Sequence, residues 1–124
     1  MGAALYPVLK TPDSGIDVVV DGTALSQAVD FLDDAARRVG VTPLRDYVSF
    51  DDDAYGVFEE AGVEIPAPTW FAASDGLRTV GALLEAARHA SDVNDALLAD
   101  LQALEVVLIQ ADARRIRWHL AVDI

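Results

Sequence analysis

Oxygen ligands for a calcium ion are the first chemistry that the sequence suggests. Asp51, Asp53 and Glu59 occupy positions one, three and nine of a calcium-binding helix–loop–helix loop, and a glycine occupies position six. Position five is Tyr55, however, and position twelve is Gly62, where such a loop needs a glutamate that binds the ion through both carboxylate oxygens. We therefore predict no calcium site and no bound metal.

The other reactive residues give little support for catalysis. The chain has no cysteine and no Gly-x-Ser-x-Gly elbow, and residues 76–81 lack the Lys-Ser/Thr pair of a phosphate loop. His89 and His119 are too differently placed to indicate a metal site, and a bond to Arg117 or Asp123 on the same strand face suffices for His119. Adjacent carboxylates need no catalytic reason in a chain with 21 acidic residues. A non-enzymatic function without a cofactor is favoured, with an enzyme kept as an alternative.

One acidic stretch, residues 46–77, is the strongest functional signal in the sequence. Its 32 residues include eight carboxylates, no lysine or arginine, and six of the chain's nine aromatic residues. Opposite charge speeds the encounter with a basic protein, and desolvated aromatic rings supply most of the affinity. Within this acidic segment we predict a partner-binding site formed by Asp51, Asp52, Asp53, Tyr55, Glu59, Glu60 and Trp70. The alternatives are that its aromatic residues only cover the core and that its charge only maintains solubility.

The overall charge limits the classes of partner. A formal charge of −12 and a pI near 4.2 disfavour binding to nucleic acid and to anionic membranes. The absence of cysteine suits a reducing compartment, and the sequence shows neither a secretion signal nor a stretch of membrane-spanning length. We therefore predict a cytoplasmic protein whose 124 residues form a single domain, 1–124. A mean hydropathy of +0.25 suggests that a second subunit covers some apolar surface, although the many alanines raise the same value.

Three short stretches have the composition of strands. Residues 3–9 and 16–20 are mainly apolar and flank a turn, and Pro7 favours an edge or an outward-facing amide at its position. In residues 115–123, apolar and mainly polar residues alternate, which is typical of a strand with one buried face. Because a lone strand is unstable, we expect this last strand to pair with one near the N-terminus.

Helical spacing predicts three main helices. The first spans about residues 24–39 and ends at Gly40, and Ser74 or Asp75 is the predicted N-cap residue of the second. The third runs from Val93 to about Asp112, and its apolar surface is too wide for one stripe. That surface, together with the small residues of the second helix, predicts a homodimer. The long connection between the first two helices is more typical of a functional or mobile segment than of an inert one.

These elements predict an α+β fold, with three main helices packed on a small, mostly antiparallel sheet made of strands near both termini. Two phrases, Trp70–Phe71 with residues 76–80, and residues 117–123, resemble small bacterial proteins of uncharacterised families. In size and acidity the chain is similar to immunity proteins, which neutralise a toxin from the same or a neighbouring cell. This resemblance implies a basic toxin as partner and assigns no functional residue. The alternatives are a small-molecule-binding protein or enzyme with a pocket under residues 41–73, and a structural or regulatory subunit.

Overall fold

The helices lie between one strand near the start of the chain and one near its end, as the sequence predicts. The computed structural model describes residues 4–11, 15–16, 20–49, 69–90 and 95–123. Its elements are β1 (Ala4–Leu9), α1 (Thr23–Gln27), α2 (Val29–Val39), a 3₁₀ helix (Leu44–Tyr47), α3 (Ala73–His89), α4 (Asp95–Ala113) and β2 (Trp118–Asp123). Three of the helices are longer than ten residues, and both strands come from near the ends of the chain. The predicted α+β class is confirmed.

The two strands pair in antiparallel fashion, from Ala4 opposite Asp123 to Leu9 opposite Trp118. This confirms that the last strand pairs with the predicted strand at residues 3–9. The second predicted strand, residues 16–20, lies mostly outside the described residues.

Pro7 occupies a position in β1 that needs no donor. The Leu5 amide donates to the Gly22 carbonyl, on the side of β1 away from β2. Backbone direction alternates along a strand, so the Pro7 nitrogen also faces away from β2. The chain passes closest to β1 at Gly22, which has φ 80° and where a Cβ atom would collide with the Leu5 carbonyl. Glycine alone fits this approach.

The helix predicted over residues 24–39 is interrupted at Ala28, which separates α1 from α2. Alanine is the best helix former, so tertiary contacts rather than local propensity impose the break. The start of α1 is held by a distant residue, because the carboxylate of Asp100 accepts hydrogen bonds from the Ala24 and Leu25 amides at 3.1 and 3.3 Å. The predicted end at Gly40 is confirmed, with that glycine in the left-handed conformation.

Two local hydrogen bonds join Thr23, the first residue of α1, to Asp21. The Thr23 hydroxyl donates to the Asp21 carboxylate at 2.6 Å, and the Thr23 amide donates to the same oxygen. Both bonds favour the ionised carboxylate and hold the pKa of Asp21 below its ordinary value.

The core lies between the helices and one face of the sheet. Its largest fully buried side chains include Leu83 and Leu84 of α3 and Leu101, Leu104 and Leu108 of α4. The predicted burial of the leucines in the last helix is therefore confirmed. The predicted N-cap of α3 is wrong by two or three residues, because the helix begins at Ala73 and its N-cap residue is Ala72 rather than Ser74 or Asp75.

Candidate functional site

The two described ends of the acidic segment meet on β2. The Ser49 amide donates to the Leu120 carbonyl at 2.8 Å. Phe71 and Trp118 exchange two backbone hydrogen bonds, of 2.8 and 3.0 Å. β2 therefore has β1 on one side and both ends of the segment on the other.

A side-chain hydrogen bond joins the two ends directly. The Thr69 amide donates to the Ser49 hydroxyl oxygen at 2.8 Å. The chain thus leaves the described structure after Ser49 and re-enters it at the neighbouring Thr69. Residues 50–68 contain six carboxylates, three aromatic residues and no lysine or arginine. The fold therefore holds both ends of this strongly acidic stretch at one place.

Trp70 lies beside this junction, on the face of β2 that carries His119. The two ring centroids are 4.6 Å apart, and Trp70 is half-buried while His119 is only 1% exposed. The exposed guanidinium of Arg117 donates to the Trp70 carbonyl at 3.5 Å. Trp70 thus combines an accessible ring with a fixed backbone, which suits an interface anchor.

The environment of His119 differs from the one that the strand pattern predicts. Alternation places His119 on the polar face, yet both His119 and the adjacent Ala121 are buried. Nδ1 of His119 lies 3.0 Å from the Leu120 carbonyl oxygen, so this nitrogen donates, since a carbonyl can only accept. The same carbonyl accepts the Ser49 amide. His119 therefore bonds to a backbone carbonyl, whereas the strand pattern predicts Arg117 or Asp123 as its partner.

Other aromatic residues of the acidic segment belong to the core. Tyr47 is buried, with its ring 5.0 Å from those of both Trp118 and Phe71. The Trp118 indole nitrogen donates to the Ala72 carbonyl at 3.2 Å. For Tyr47 and Phe71, the alternative of aromatic residues covering the core is thus correct.

Most of the predicted partner-binding residues, Asp51, Asp52, Asp53, Tyr55, Glu59 and Glu60, lie outside the described residues. Of that set the structure places Trp70. It also places two further carboxylates of the acidic segment, Asp46 and Asp75, both of which are exposed.

A cavity of about 280 Å³ opens next to these two carboxylates. Asp46, Tyr47, Phe71 and Arg78 contribute to its wall. Within the described structure, the Arg78 side chain makes no hydrogen bond or ion pair. Its guanidinium is thus available to a ligand in a cavity where the chain enters and leaves the acidic segment.

Sequence reasoning missed the buried polar residues. Asp33, which the helical pattern places on the solvent side, is buried and forms an ion pair of 3.1 Å with Arg45. Its other carboxylate oxygen has no hydrogen-bond partner in the part of the chain that the structure describes. The sequence does contain a signal that Asp100 is buried, because this residue interrupts the apolar stripe of α4 between Leu97 and Leu101. An acid at such a position needs an internal partner.

The described ranges contain no group of three potential metal-ligating side chains, and none of their helices is long and apolar enough to cross a membrane. Nε2 of His89 lies 2.9 Å from a Glu85 carboxylate oxygen on the surface of α3. Comparison of the chain with family models, with curated proteins and with solved structures finds no match.

Proposed function

We propose that this chain is a non-enzymatic protein-binding domain that uses the acidic segment to bind a basic protein. The observation that carries the proposal is the joining of both segment ends on β2, through Ser49, Thr69 and Phe71. The six carboxylates of residues 50–68 are thus tied to one site on the domain.

Immunity against a basic toxin is the sharpest form of this proposal. A toxin that acts on nucleic acid carries a basic surface, since phosphate binding demands one. An acidic protein neutralises such a surface by charge complementarity and fast association. The size and acidity of the chain support this form, and the cytoplasm is the compartment in which it would act.

Two triple variants test the charge contribution. Asp51→Asn with Asp52→Asn and Asp53→Asn removes three charges within the segment. The matched control removes three exposed charges on α2, α3 and α4 through Asp34→Asn, Glu85→Gln and Asp112→Asn. Both variants change the net charge of −12 by three. We expect the first variant to lose most capture of the partner from the native host at low salt, while the control keeps it.

An aromatic anchor should affect a different kinetic step. Tyr55→Ala and Trp70→Ala should accelerate dissociation and leave association nearly unchanged, because a desolvated ring contributes short-range contact. Surface plasmon resonance with the captured partner separates the two rates. If that partner is not basic, or if the two triple variants capture it equally, the acidic segment is only a solvated surface and the proposal is wrong.

Small-molecule binding, one of the alternatives that the sequence leaves open, is a second candidate, because residues within 40–47 and 71–79 line a cavity of about 280 Å³. This volume is near the lower end of the range for ligand pockets, roughly 300–1,000 Å³. The Arg78 side chain, which has no partner among the described residues, would bind an anionic group, and the rings of Tyr47 and Phe71 would contact an apolar one. A ligand that raises the melting temperature of the wild type and not of Arg78→Ala would favour this candidate over partner binding.

A further inference from the structure

The outward face of α4 has the composition of an interface. Its exposed residues Ala99, Gln102, Val106, Ile109 and Ala113 follow alternating steps of three and four. This is the spacing by which one helix packs along another. Val106 and Ile109 are 53% and 52% exposed, and they are two of the four large hydrophobic residues exposed in the described structure. These five residues form the outward stripe of α4.

Charge is absent from the outward stripe, in contrast to the exposed sides of α2 and α3. The exposed side of α2 carries Asp30, Asp34, Arg37 and Arg38 in only eleven residues. In a chain with a net charge of −12, a run of five uncharged exposed positions calls for a partner.

We propose that this partner is a second copy of the chain, with the two α4 helices antiparallel. Aligning the helices about position 104 sets Ile109 against Ala99 of the second copy, and Val106 against Gln102 of the second copy. The half of each stripe that carries Val106 and Ile109 then meets the half of the other stripe that carries Ala99 and Gln102, where the apolar side chains are smaller. Such matching allows continuous contact along the helix pair, whereas a parallel arrangement sets bulky residues against each other and leaves a gap at Ala99.

Charges beyond the stripe select the same orientation. Asp95 begins α4, and the exposed Arg115 follows its last turn. Antiparallel packing brings Asp95 of one copy near Arg115 of the other, and the helix dipoles oppose one another favourably. A parallel pair would set Asp95 against Asp95 and Arg115 against Arg115.

The size of the surface sets the strength of the dimer. A helix of 19 residues is about 28 Å long, and one helix pair covers less than the roughly 800 Å² per partner of a standard stable interface. We therefore expect reversible association at micromolar or higher concentrations. Because both copies are strongly negative, added salt should strengthen the dimer, whereas it should weaken binding of a basic partner. The dimer does not depend on the proposed function.

Analytical ultracentrifugation from micromolar to millimolar protein tests the surface. Ile109→Glu should raise the dissociation constant at least tenfold, through burial of a charge in the stripe. Val39→Glu is the matched control, since Val39 is 55% exposed on α2, and it should leave the dissociation constant unchanged. A monomer at every concentration, or equal effects of the two variants, would overturn the proposal.

Single cysteines test the orientation, because the natural chain has none. Mixing the Ala99→Cys and Ile109→Cys proteins should give mainly the mixed disulfide on mild oxidation. Ala113→Cys alone should give none, since antiparallel packing about position 104 sets the two sulfur atoms roughly 27 Å apart along the helix axis. A rapid Ala113→Cys homodimer would establish parallel packing and contradict the proposed geometry.

Discussion

Gly76 and Gly81 lie five residues apart on α3, and burial gives them opposite roles. Gly76 is buried, and a Cβ atom there would collide with the Trp118 ring. Gly81 is exposed, and a Cβ atom would meet nothing within 4 Å. The absent side chain of Gly76 thus allows α3 to approach Trp118, whereas that of Gly81 only lowers helix propensity.

Alanine at these two positions should therefore change stability in opposite directions. Gly76→Ala should lower the free energy of unfolding by about 1–3 kcal/mol, because the buried indole has to move. Gly81→Ala should raise it by up to about 1 kcal/mol, through better helix propensity. Urea unfolding monitored by circular dichroism measures both. Stabilisation by Gly76→Ala would show that α3 does not contact Trp118 at this point.

Asp33 and Asp30 bind the same guanidinium with different consequences. The Asp33 side chain is 5% exposed and that of Asp30 is 96% exposed, while Arg45 itself is 56% exposed. Removing the arginine leaves a buried carboxylate without its ion-pair partner, which costs more than the loss of a surface ion pair.

Arg45→Ala should accordingly reduce the free energy of unfolding by about 1–3 kcal/mol. Asp30→Ala should change it by less than about 1 kcal/mol, because a fully hydrated carboxylate gains little from the pair. Denaturant titration of both variants checks the difference. Equal losses would mean that Asp33 finds another partner when Arg45 is removed.

At the scale of the elements, the periodicity of apolar residues predicts the helices and strands that local sequence determines. The spacing of apolar residues predicts both the helix that ends at Gly40 and the helix that contains Leu101 to Leu108. The alternation of apolar and polar residues predicts β2. The break at Ala28 and the capping of α1 by Asp100 do not follow from these patterns, because they depend on residues about 75 positions apart in the chain.

The candidate site also combines features that the sequence predicts with features that depend on contacts between distant residues. Composition alone identifies the acidic segment and predicts a basic partner. The joining of its ends through Ser49 and Thr69 depends on hydrogen bonds to β2, which a single sequence does not reveal. The burial of His119 likewise depends on Trp70, 49 positions earlier, rather than on the alternation within β2.

The two sides of α4 provide a test of how this helix packs. Leu104→Ala should cost about 2–5 kcal/mol, because it removes buried contacts and leaves a cavity. Val106→Ala, measured at low protein concentration, should change stability by less than about 0.5 kcal/mol because that side chain is half exposed. Thermal unfolding of both variants provides the comparison. A loss below about 1 kcal/mol for Leu104→Ala would place that face of α4 in solvent.

At the scale of the whole molecule, charge is distributed unevenly around a conventional core. The acidic segment joins the sheet at β2, α2 and α3 carry charges of both signs, and the outward stripe of α4 carries none. In the two proposals, a basic protein and a second copy of the chain would bind separate surfaces. Salt should act on the two in opposite directions, which allows each to be examined in the presence of the other.

The salt dependence of association with the captured partner tests the central claim most directly. Stopped-flow measurement should give a rate for the wild type that falls steeply as salt rises, since exposed charges act over a Debye length of about 8 Å at physiological ionic strength. We predict a clearly shallower slope for the triple variant at Asp51, Asp52 and Asp53, and the wild-type slope for the control triple on the helices. Equal slopes for both triple variants would contradict a specific role for the acidic segment.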